Sequence, residues 1–410
     1  MADTFVGLLG IVVILGIALA LSTNRKAINL RIVGAAFALQ VVVASIVIYS
    51  ELGKAALEKM SFGVLKVMDY SQVGIQFVFG GLAVEPGNPV WSFAISVLPI
   101  IVFFSSLMSV LYHLRIMEFV VRAIGGALRF IIGTRAVESL NAAANIFIGQ
   151  TEAPLVVRPY LGTPTGPQMF AVMTSGVASI AGTVLLAYVS FGAELKYLLA
   201  ASFMAAPGGL LMAKIVMPDD EVESASADDE HLKMGRSPHA NVILAAAVGA
   251  SDGVKLAVNI GAMLVAFVAL IALFNGVVGG IAGLFGIEGL TLQGMLGTLF
   301  QPLMFLLSIP WEEARAAGAL FGEKLILNEF VAYSHLNEYL AGASDRTKAI
   351  VTFSLCGFAN LSSIAILLGG LGSLVPEKKE MIARFGLRAV AAGSLSNLMS
   401  AALAGILLGI

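Results

Sequence analysis

Residues 144–155 read ANIFIGQTEAPL, and they decide the fold because they place one charge, Glu152, inside a long apolar stretch. Glu152 is the only charged residue between Glu138 and Arg158. The whole chain is 58% hydrophobic and 12% charged, with a mean hydropathy of +0.93. An ionisable side chain at the bilayer centre costs a few kcal/mol or more, so it is usually kept only where it lines a polar cavity. The stretch therefore predicts a membrane-embedded binding or transport site at Glu152.

Apolar runs recur through the 410 residues and predict an all-α polytopic membrane protein. Roughly 20 residues span a bilayer as a helix. The first run is followed, not preceded, by its basic residues, and it is predicted to be a retained span and not a signal peptide. The eight predicted transmembrane helices lie near 5–22, 32–49, 91–112, 169–193, 197–217, 256–286, 347–374 and 388–410.

Three further stretches are predicted to be interfacial helices. Residues 114–133 carry three arginines, from Arg115 to Arg129, at a spacing of seven, which puts their guanidinium groups on one face of a helix. A basic face opposite an apolar one suits the membrane surface better than its interior. Residues 53–68 and 292–309 are interpreted in the same way.

The distribution of Lys and Arg predicts the orientation. With eight spans, fifteen of the 24 basic residues fall in loops on one side, which is predicted to be cytoplasmic. Both termini then lie outside a bacterial cytoplasmic (inner) membrane. The acidic segment 218–241 becomes a cytoplasmic linker that divides the chain into two halves.

The two halves resemble each other. In each, an amphipathic element precedes a run with a central glutamate, Glu152 or Glu329, and then a span broken by small polar residues. Glu152 precedes Ser179 by 27 residues, and Glu329 precedes Ser362 by 33. Each glutamate run is interrupted and must enter and leave on the same side, which predicts a re-entrant hairpin. Three spans separate the two hairpins, so the repeats have inverted topology.

These repeats divide the chain into five predicted regions. Each repeat consists of an interfacial helix, a hairpin, a broken span and a final span, and the remaining spans form a scaffold. The regions are 1–113 for three scaffold helices, 114–217 for the first repeat, 218–241 for the linker, 242–290 for a long scaffold helix and 291–410 for the second repeat.

The polar residues of the hairpins and breaks predict hydrogen bonding to a neutral ligand. Carboxylates accept hydrogen bonds, whereas amides and hydroxyls both accept and donate. The breaks contain no Arg or Lys to match an anionic substrate, so a sugar or a heterocycle fits better. Backbone carbonyls of a broken helix could also hold a hard cation. The sequence has no GxxxxGK[ST] motif of a nucleotide-driven pump.

Structural roles for the same residues stay open at this point. Glu152 could pair with Arg158, although a separation of six residues suits a helical ion pair poorly. Glu329 could belong to a solvated helix end together with the nearby Lys324. The small polar residues of the breaks could simply fill helix interfaces.

Four segments together resemble the concentrative nucleoside transporter family. They are long, specific and distributed over nearly the whole chain: 144–155, quoted above, 201–208 (ASFMAAPG), 328–333 (NEFVAY) and 356–364 (CGFANLSSI). The resemblance implies sodium- or proton-coupled nucleoside uptake by a homotrimer, and no enzymatic activity. It also implies a scaffold domain, against which a hairpin-bearing domain moves as an elevator.

The resemblance further implies a role for each motif position. The implied nucleobase ligands are Gln150, Thr151 and Glu152, with Gly149 shaping the hairpin tip, Val184 contacting the base and Phe358 beside it. The implied ribose ligands are Glu329, Asn360 and Ser363. The implied sodium ligands are Asn145, Ile148, Ser179 and Ile180, some through backbone oxygens. A uridine-like nucleoside, sodium and membrane lipid are the expected partners, with no organic cofactor and no nucleic acid.

Other mechanisms are compatible with the residues alone. A sugar transporter would use most of the same hydrogen bonds. A proton-coupled symporter would use Glu152 or Glu329 as the proton carrier, because a buried carboxylate can titrate near neutral pH. An intramembrane enzyme could use the paired carboxylates as acid and base.

Overall fold

The computed structural model describes residues 2–84, 88, 90–158, 161, 164–219 and 239–409, and this part of the chain is helical without β-strands. The first eleven helices are α1 (Ala2–Ala20), α2 (Leu30–Ala44), α3 (Glu51–Phe79), α4 (Phe93–Ser96), α5 (Leu98–His113), α6 (Ile116–Ile132), α7 (Ala136–Ala144), α8 (Ala153–Val156), α9 (Gly166–Ala178), α10 (Gly182–Ser190) and α11 (Leu195–Val216). The others are α12 (Val242–Leu284), α13 (Leu292–Leu306), α14 (Trp311–Ile326), α15 (Glu329–Ser334), α16 (Leu336–Tyr339), α17 (Asp345–Leu355), α18 (Ser362–Gly369), α19 (Leu371–Leu374) and α20 (Lys379–Leu407).

The eight predicted spans each correspond to helices in the described residues. Six segments are long and apolar enough to cross a membrane: Leu30–Tyr49, Phe93–His113, Gly166–Ser190, Leu195–Val216, Val242–Leu284 and Pro376–Leu407. Two shorter apolar helices, Thr4–Ala20 and Ser362–Leu374, supply the first span and the second half of the seventh. The all-α polytopic fold class is confirmed.

The sixth span is longer than its apolar run indicated. The prediction began at residue 256, whereas α12 has 43 residues and starts at Val242. Its first turns include Asp252 and Lys255, whose exposed side chains form an ion pair at 3.0 Å. A hydropathy criterion stops at such charges, but a helix continues through them when they reach solvent.

The amphipathic elements form helices as predicted, with adjusted ends. Helix α6 buries one stripe from Met117 to Ile132, while Arg115 and Arg122 are exposed on the other side. Helix α3 runs on to Phe79, eleven residues past the predicted end at 68. Helix α13 ends at Leu306, and its axis meets that of α14 at 118°. This sharp bend separates the third amphipathic element from the hairpin that follows.

Two hairpins interrupt the sequence of spans. The first consists of α7, a turn through residues 145–152 and the short α8, which has Pro154 in its first turn. The second consists of α14 and α15, joined through Leu327 and Asn328. The Asn328 side chain accepts a hydrogen bond from the Val331 N–H at 3.0 Å and so begins α15. Each hairpin therefore places the end of one helix and the start of the next at its tip.

Both hairpin-linked spans are broken where small polar residues occur. Helices α9 and α10 are separated by residues 179–181, and α17 and α18 by residues 356–361. The Phe358 N–H donates to the Ser179 carbonyl at 3.0 Å, which joins one break to the other. The predicted breaks are thus confirmed, and they meet at the centre of the molecule.

The remaining helices surround this centre unequally. Helix α20 packs on α9, α11 and α17, α1 packs on α20, and α2 packs on α11. Helices α5 and α12 pack mainly on each other. Helix α5 has smaller contacts with α3, α4, α6 and α10, and α12 has smaller contacts with α13 and α15. The α5–α12 pair is therefore a layer distinct from the hairpin-bearing core.

A buried ion pair anchors the first hairpin. Glu138 on α7 and Lys214 on α11 lie 2.7 Å apart, and both side chains are almost fully buried. Lys214 also contacts Asp219 at 2.7 Å, at the start of the predicted acidic linker 218–241. Residues 220–238 of that linker lie outside the described residues.

Candidate functional site

A continuous chain of hydrogen bonds runs from the first hairpin to the second. The Gln150 amide donates to the Ser363 hydroxyl at 3.3 Å, and that hydroxyl lies 3.1 Å from the Asn360 side-chain oxygen. The Asn360 amide donates to Glu329 Oε2 at 2.9 Å. Four residues that the sequence predicted as ligands thus contact one another, and each is at least 96% buried.

The second hairpin places Glu329 at the end of this chain. Glu329 is the first residue of α15, so its carboxylate lies at the positive end of that short helix. Its Oε1 accepts a hydrogen bond from the Tyr188 hydroxyl of α10 at 3.1 Å. The interpretation of this segment as a solvated helix end is wrong, because Glu329, Glu323 and Lys324 are all buried.

The first hairpin contributes the opposite end. The side-chain oxygen of Gln150 is buried and makes no hydrogen bond within the described residues, so an acceptor is left for a ligand donor. A side chain at Gly149 would collide with the Glu152 carboxylate, which agrees with a tip-shaping role for this glycine. Thr151 is half-buried and contacts the chain near Gly370, where α18 ends.

Glu152 differs from its counterpart in burial. Glu152 is exposed, whereas Glu329 is 3% exposed. The electrostatic neighbours of Glu152 include Tyr112 on α5 and Asp252 on α12. The tip of the first hairpin therefore faces the α5–α12 layer, and the alternative pairing with Arg158 is not among the ion pairs of the described residues.

The two predicted apolar contacts lie beside the breaks. Val184 is 2% exposed in the first turns of α10, and Phe358 is half-buried in the second break. The Ser363 hydroxyl also contacts the Phe358 carbonyl. These positions agree with walls of a pocket whose polar lining is the hydrogen-bond chain.

The predicted sodium ligands come from the first hairpin and the first break. The Gly182 N–H donates to the Phe147 carbonyl at 3.0 Å, which brings residues 145–148 against residues 179–181. The Asn145 side-chain oxygen is buried and accepts no hydrogen bond within the described residues. Ser179 and Ile180 are buried, and a carbonyl such as that of Ser179 retains a second lone pair after accepting one hydrogen bond.

This donor set fits a hard monovalent cation. It consists of neutral amide, hydroxyl and backbone oxygens, which is how discontinuous helices bind coupling ions. No group of three or more His, Cys, Asp or Glu that could hold a metal occurs among the described residues. The observation that points to a cation beside the first break is the buried Asn145 side-chain oxygen, which accepts no hydrogen bond within the described residues.

Sequence reasoning missed three functional candidates. Tyr188 orients Glu329, as described above. Lys324 donates to the Asn397 side-chain oxygen at 2.8 Å, and the Asn397 amide donates to the Ala178 and Cys356 carbonyls at 2.6 and 2.8 Å. A polar residue at 397 within the apolar last span was the available signal.

Tyr188→Phe is expected to weaken nucleoside binding at least about tenfold. The change removes the hydroxyl that holds Glu329 Oε1, and a hydrogen bond to a charged group contributes about 1.5 kcal/mol or more. The affinity should be measured by calorimetry on purified protein.

Tyr333→Phe is the matched control for this prediction. Tyr333 stacks on Tyr188 with ring centroids 4.4 Å apart, but its hydroxyl donates to the Thr352 carbonyl at 2.9 Å. The control should lower the melting temperature and leave the nucleoside affinity unchanged. An equal loss of affinity in both variants would contradict the role given to Tyr188.

Gly182→Ala is expected to raise the sodium concentration for half-maximal uptake about tenfold. The new Cβ would lie 2.7 Å from the Phe147 carbonyl oxygen, so the first hairpin must move away from the break. Gly126→Ala is the control, because its Cβ meets nothing within 4 Å and alanine favours the α6 helix. Uptake by the two variants should be measured over a range of sodium concentrations. Equal half-maximal sodium concentrations in both would contradict the coordination of sodium by the first hairpin.

Three models of known families match this chain. The family model described as Na+ dependent nucleoside transporter C-terminus matches residues 197–405, and its N-terminus counterpart matches residues 9–82. A model described as nucleoside recognition matches residues 94–195.

Known proteins match along nearly the full chain. The nucleoside permease NupC of Helicobacter pylori is 49% identical over 410 residues, covering 98% of this chain and 97% of that protein. Sodium/nucleoside cotransporter 1 of Homo sapiens is 40% identical over 420 residues, covering 99% of this chain and 64% of that protein.

Solved structures match equally well. CNTnw in an inward-facing substrate-bound state has a TM-score of 0.94 and 50% identity, covering 99% of this chain and 98% of that one. A doubly substituted CNTnw in an outward-facing state has a TM-score of 0.95 and 49% identity, covering 100% and 98%.

Proposed function

The chain belongs to the concentrative, sodium-dependent nucleoside transporter family, and from this premise we propose that it imports nucleosides by sodium-coupled symport. The relatives are nucleoside permeases and cotransporters, not enzymes. The observation that carries the proposal is the hydrogen-bond chain from Gln150 through Ser363 and Asn360 to Glu329.

The chemistry of this chain suits a nucleoside. The carboxylate of Glu329 and the amide of Asn360 can bind the two ribose hydroxyls, which both donate and accept. The free acceptor of Gln150 and the exposed carboxylate of Glu152 are suited to donors on a nucleobase edge. Thr151 and Gly149 would then shape the tip, and Val184 and Phe358 would contact the base plane.

Sodium coupling is supported by the neutral oxygens around Asn145. Sodium bound by Asn145, Ile148, Ser179 and Ile180 would fix the first hairpin against its break, and the next residues of the hairpin include Gln150 and Glu152. Ion and nucleoside would then each raise the affinity for the other, because the coupling free energy is reciprocal.

An elevator motion is supported by the separate α5–α12 layer. Helix α12 exposes large apolar side chains along its length, including Val258, Val265 and Leu273, as lipid- or subunit-facing surfaces do. We assign α5 and α12 to the scaffold of a homotrimer. The sequence predicted that all of residues 1–113 belong to the scaffold. In this proposal α1 and α2 are not part of it, because both helices pack on the core.

The membrane setting completes the proposal. The protein is a multi-pass membrane transporter, and the positive-inside count favours a bacterial cytoplasmic membrane with both termini outside. The two inverted repeats at 114–217 and 291–410 would then open the site to alternate sides.

Uptake into proteoliposomes tests this function. Purified protein should accumulate radiolabelled uridine when sodium is imposed outside, and not when choline replaces it. A parallel pH gradient without sodium tests proton coupling, and excess ribose or glucose tests for a sugar carrier. Uptake that follows pH and ignores sodium would replace the proposal with proton symport, and competition by free sugar would remove the nucleoside assignment.

A further inference from the structure

Each hairpin meets its own broken helix through an equivalent backbone hydrogen bond. In the first half the Gly182 N–H donates to the Phe147 carbonyl at 3.0 Å, and in the second the Leu361 N–H donates to the Leu325 carbonyl at 3.1 Å. The donor and acceptor are 35 and 36 residues apart in the two halves. The two bonds therefore align the inverted repeats almost residue by residue.

This alignment places two different groups one position apart in the two repeats. Two residues before Phe147 stands Asn145, whose side-chain oxygen is buried without a donor among the described residues. One residue before Leu325 stands Lys324, whose ammonium group is fully buried. One repeat presents a buried oxygen without a hydrogen-bond donor among the described residues, and the other presents a cation on a side chain.

The groups around Lys324 favour a positive charge, against the cost of its full burial. Its Nζ donates to the Asn397 oxygen at 2.8 Å and lies 5.6 Å from the centre of the Phe321 ring. Glu329 and Cys356 are its electrostatic neighbours.

Asn397 connects the Lys324 ammonium to both breaks through hydrogen bonds. Its amide donates to the Ala178 carbonyl, directly before the first break, and to the Cys356 carbonyl, in the second. Because its oxygen accepts from Lys324, the amide dipole is oriented with both N–H groups toward these carbonyls. Loss of Lys324 would leave that orientation unsupported and would remove a positive charge that interacts with Glu329.

We propose that the Lys324 ammonium is a tethered cation, which orders the second hairpin and its break as the co-transported cation orders the first. Lys324 is then a positioning residue: it orders Asn397 and the second break and thereby presents Glu329 and Asn360 to the substrate. This inference rests on the proposed sodium–nucleoside symport. A buried lysine kept only for packing would be replaceable by an apolar side chain of the same length.

Chemical rescue distinguishes a tethered charge from packing. Lys324→Ala leaves room for a small cation at the position of the ammonium, whereas Lys324→Met fills the same room without charge. Uridine binding should be measured by calorimetry on the purified full chain, with sodium alone and with added ethylammonium chloride. Size-exclusion chromatography and thermal unfolding establish that each variant is folded.

The expected result is a loss of uridine affinity of at least tenfold in both variants. Ethylammonium should restore most of it in Lys324→Ala and none in Lys324→Met or the unsubstituted protein. The sodium dependence of binding to Lys324→Ala should also become sigmoidal, since a second sodium can enter the vacated position.

Several outcomes would overturn the inference. One is an unchanged uridine affinity in Lys324→Met. The other is a Lys324→Ala protein that folds but whose uridine affinity is restored by neither ethylammonium nor high sodium. If Lys324→Ala does not fold, Lys324→Met decides alone, with retained affinity overturning the proposal and a tenfold loss supporting it. Absence of sodium-dependent uridine binding in the unsubstituted protein would instead refute the proposed function.

Discussion

Glu329→Gln is expected to lower the ratio of Vmax to KM for nucleoside uptake about 100- to 1000-fold. The carboxylate accepts from Tyr188 and Asn360 and, in the proposed complex, from ribose hydroxyls. Glutamine retains the shape, but it replaces one acceptor oxygen with a donor that would face the donating Asn360 amide or the Tyr188 hydroxyl. Losing one or two charge-assisted hydrogen bonds costs about 3–4 kcal/mol, and 1.4 kcal/mol corresponds to a factor of ten.

Glu338→Gln is the matched control for this change. Glu338 follows on the same hairpin, in α16, but its side chain is exposed. Proteoliposomes containing either variant at equal density should be compared over a range of uridine concentrations. If both variants transport at the same rate, Glu329 does not bind the substrate.

Asn145→Ala is expected to raise the sodium concentration for half-maximal uptake about 30- to 100-fold. The variant removes the side-chain oxygen that is buried without a donor, and a contact of this kind with a charged partner contributes about 2–3 kcal/mol. At a fixed low sodium concentration the KM for uridine should rise in parallel, because the effects of ion and substrate on each other are reciprocal.

Ser139→Ala, on helix α7 that precedes Asn145, is the control. The Ser139 hydroxyl is fully buried and lies 2.8 Å from that of Thr134, away from the hairpin tip. Its loss should lower the melting temperature and leave the sodium titration unchanged. A sodium dependence shared by both variants would indicate a general weakening of α7 instead of a lost ion ligand.

Hydropathy and local pattern were sufficient for the helical architecture. Apolar runs located all eight spans, and the polar interruptions at 179–183 and 357–363 marked both breaks, because a broken helix needs residues that tolerate unpaired backbone groups. The ends of α3 and α12 were misjudged, since charges that reach solvent do not end a helix. The sequence correctly predicted that α13 is an element separate from the second hairpin, since the chain bends by 118° between α13 and α14.

The site was predictable only where one short segment carries the signal. Gln150 and Glu329 lie in the hairpin tips, and their polarity is unusual for their surroundings. The contact of Lys324 with Asn397 joins residues 73 positions apart, and nothing in either local pattern indicates the other. The exposed setting of Glu152 against α5 and α12 also depends on helix packing, which a single sequence does not specify.

The bond between the Phe358 N–H and the Ser179 carbonyl has a consequence for how cargo crosses the membrane. It joins the break of one repeat to the break of the other. The Asn397 amide joins the same two backbone segments through two further hydrogen bonds. A mechanism that handed the ligand from one half to the other would have to break all three bonds. In the proposed elevator motion, a binding site joined in this way would keep its shape while its position in the membrane changes.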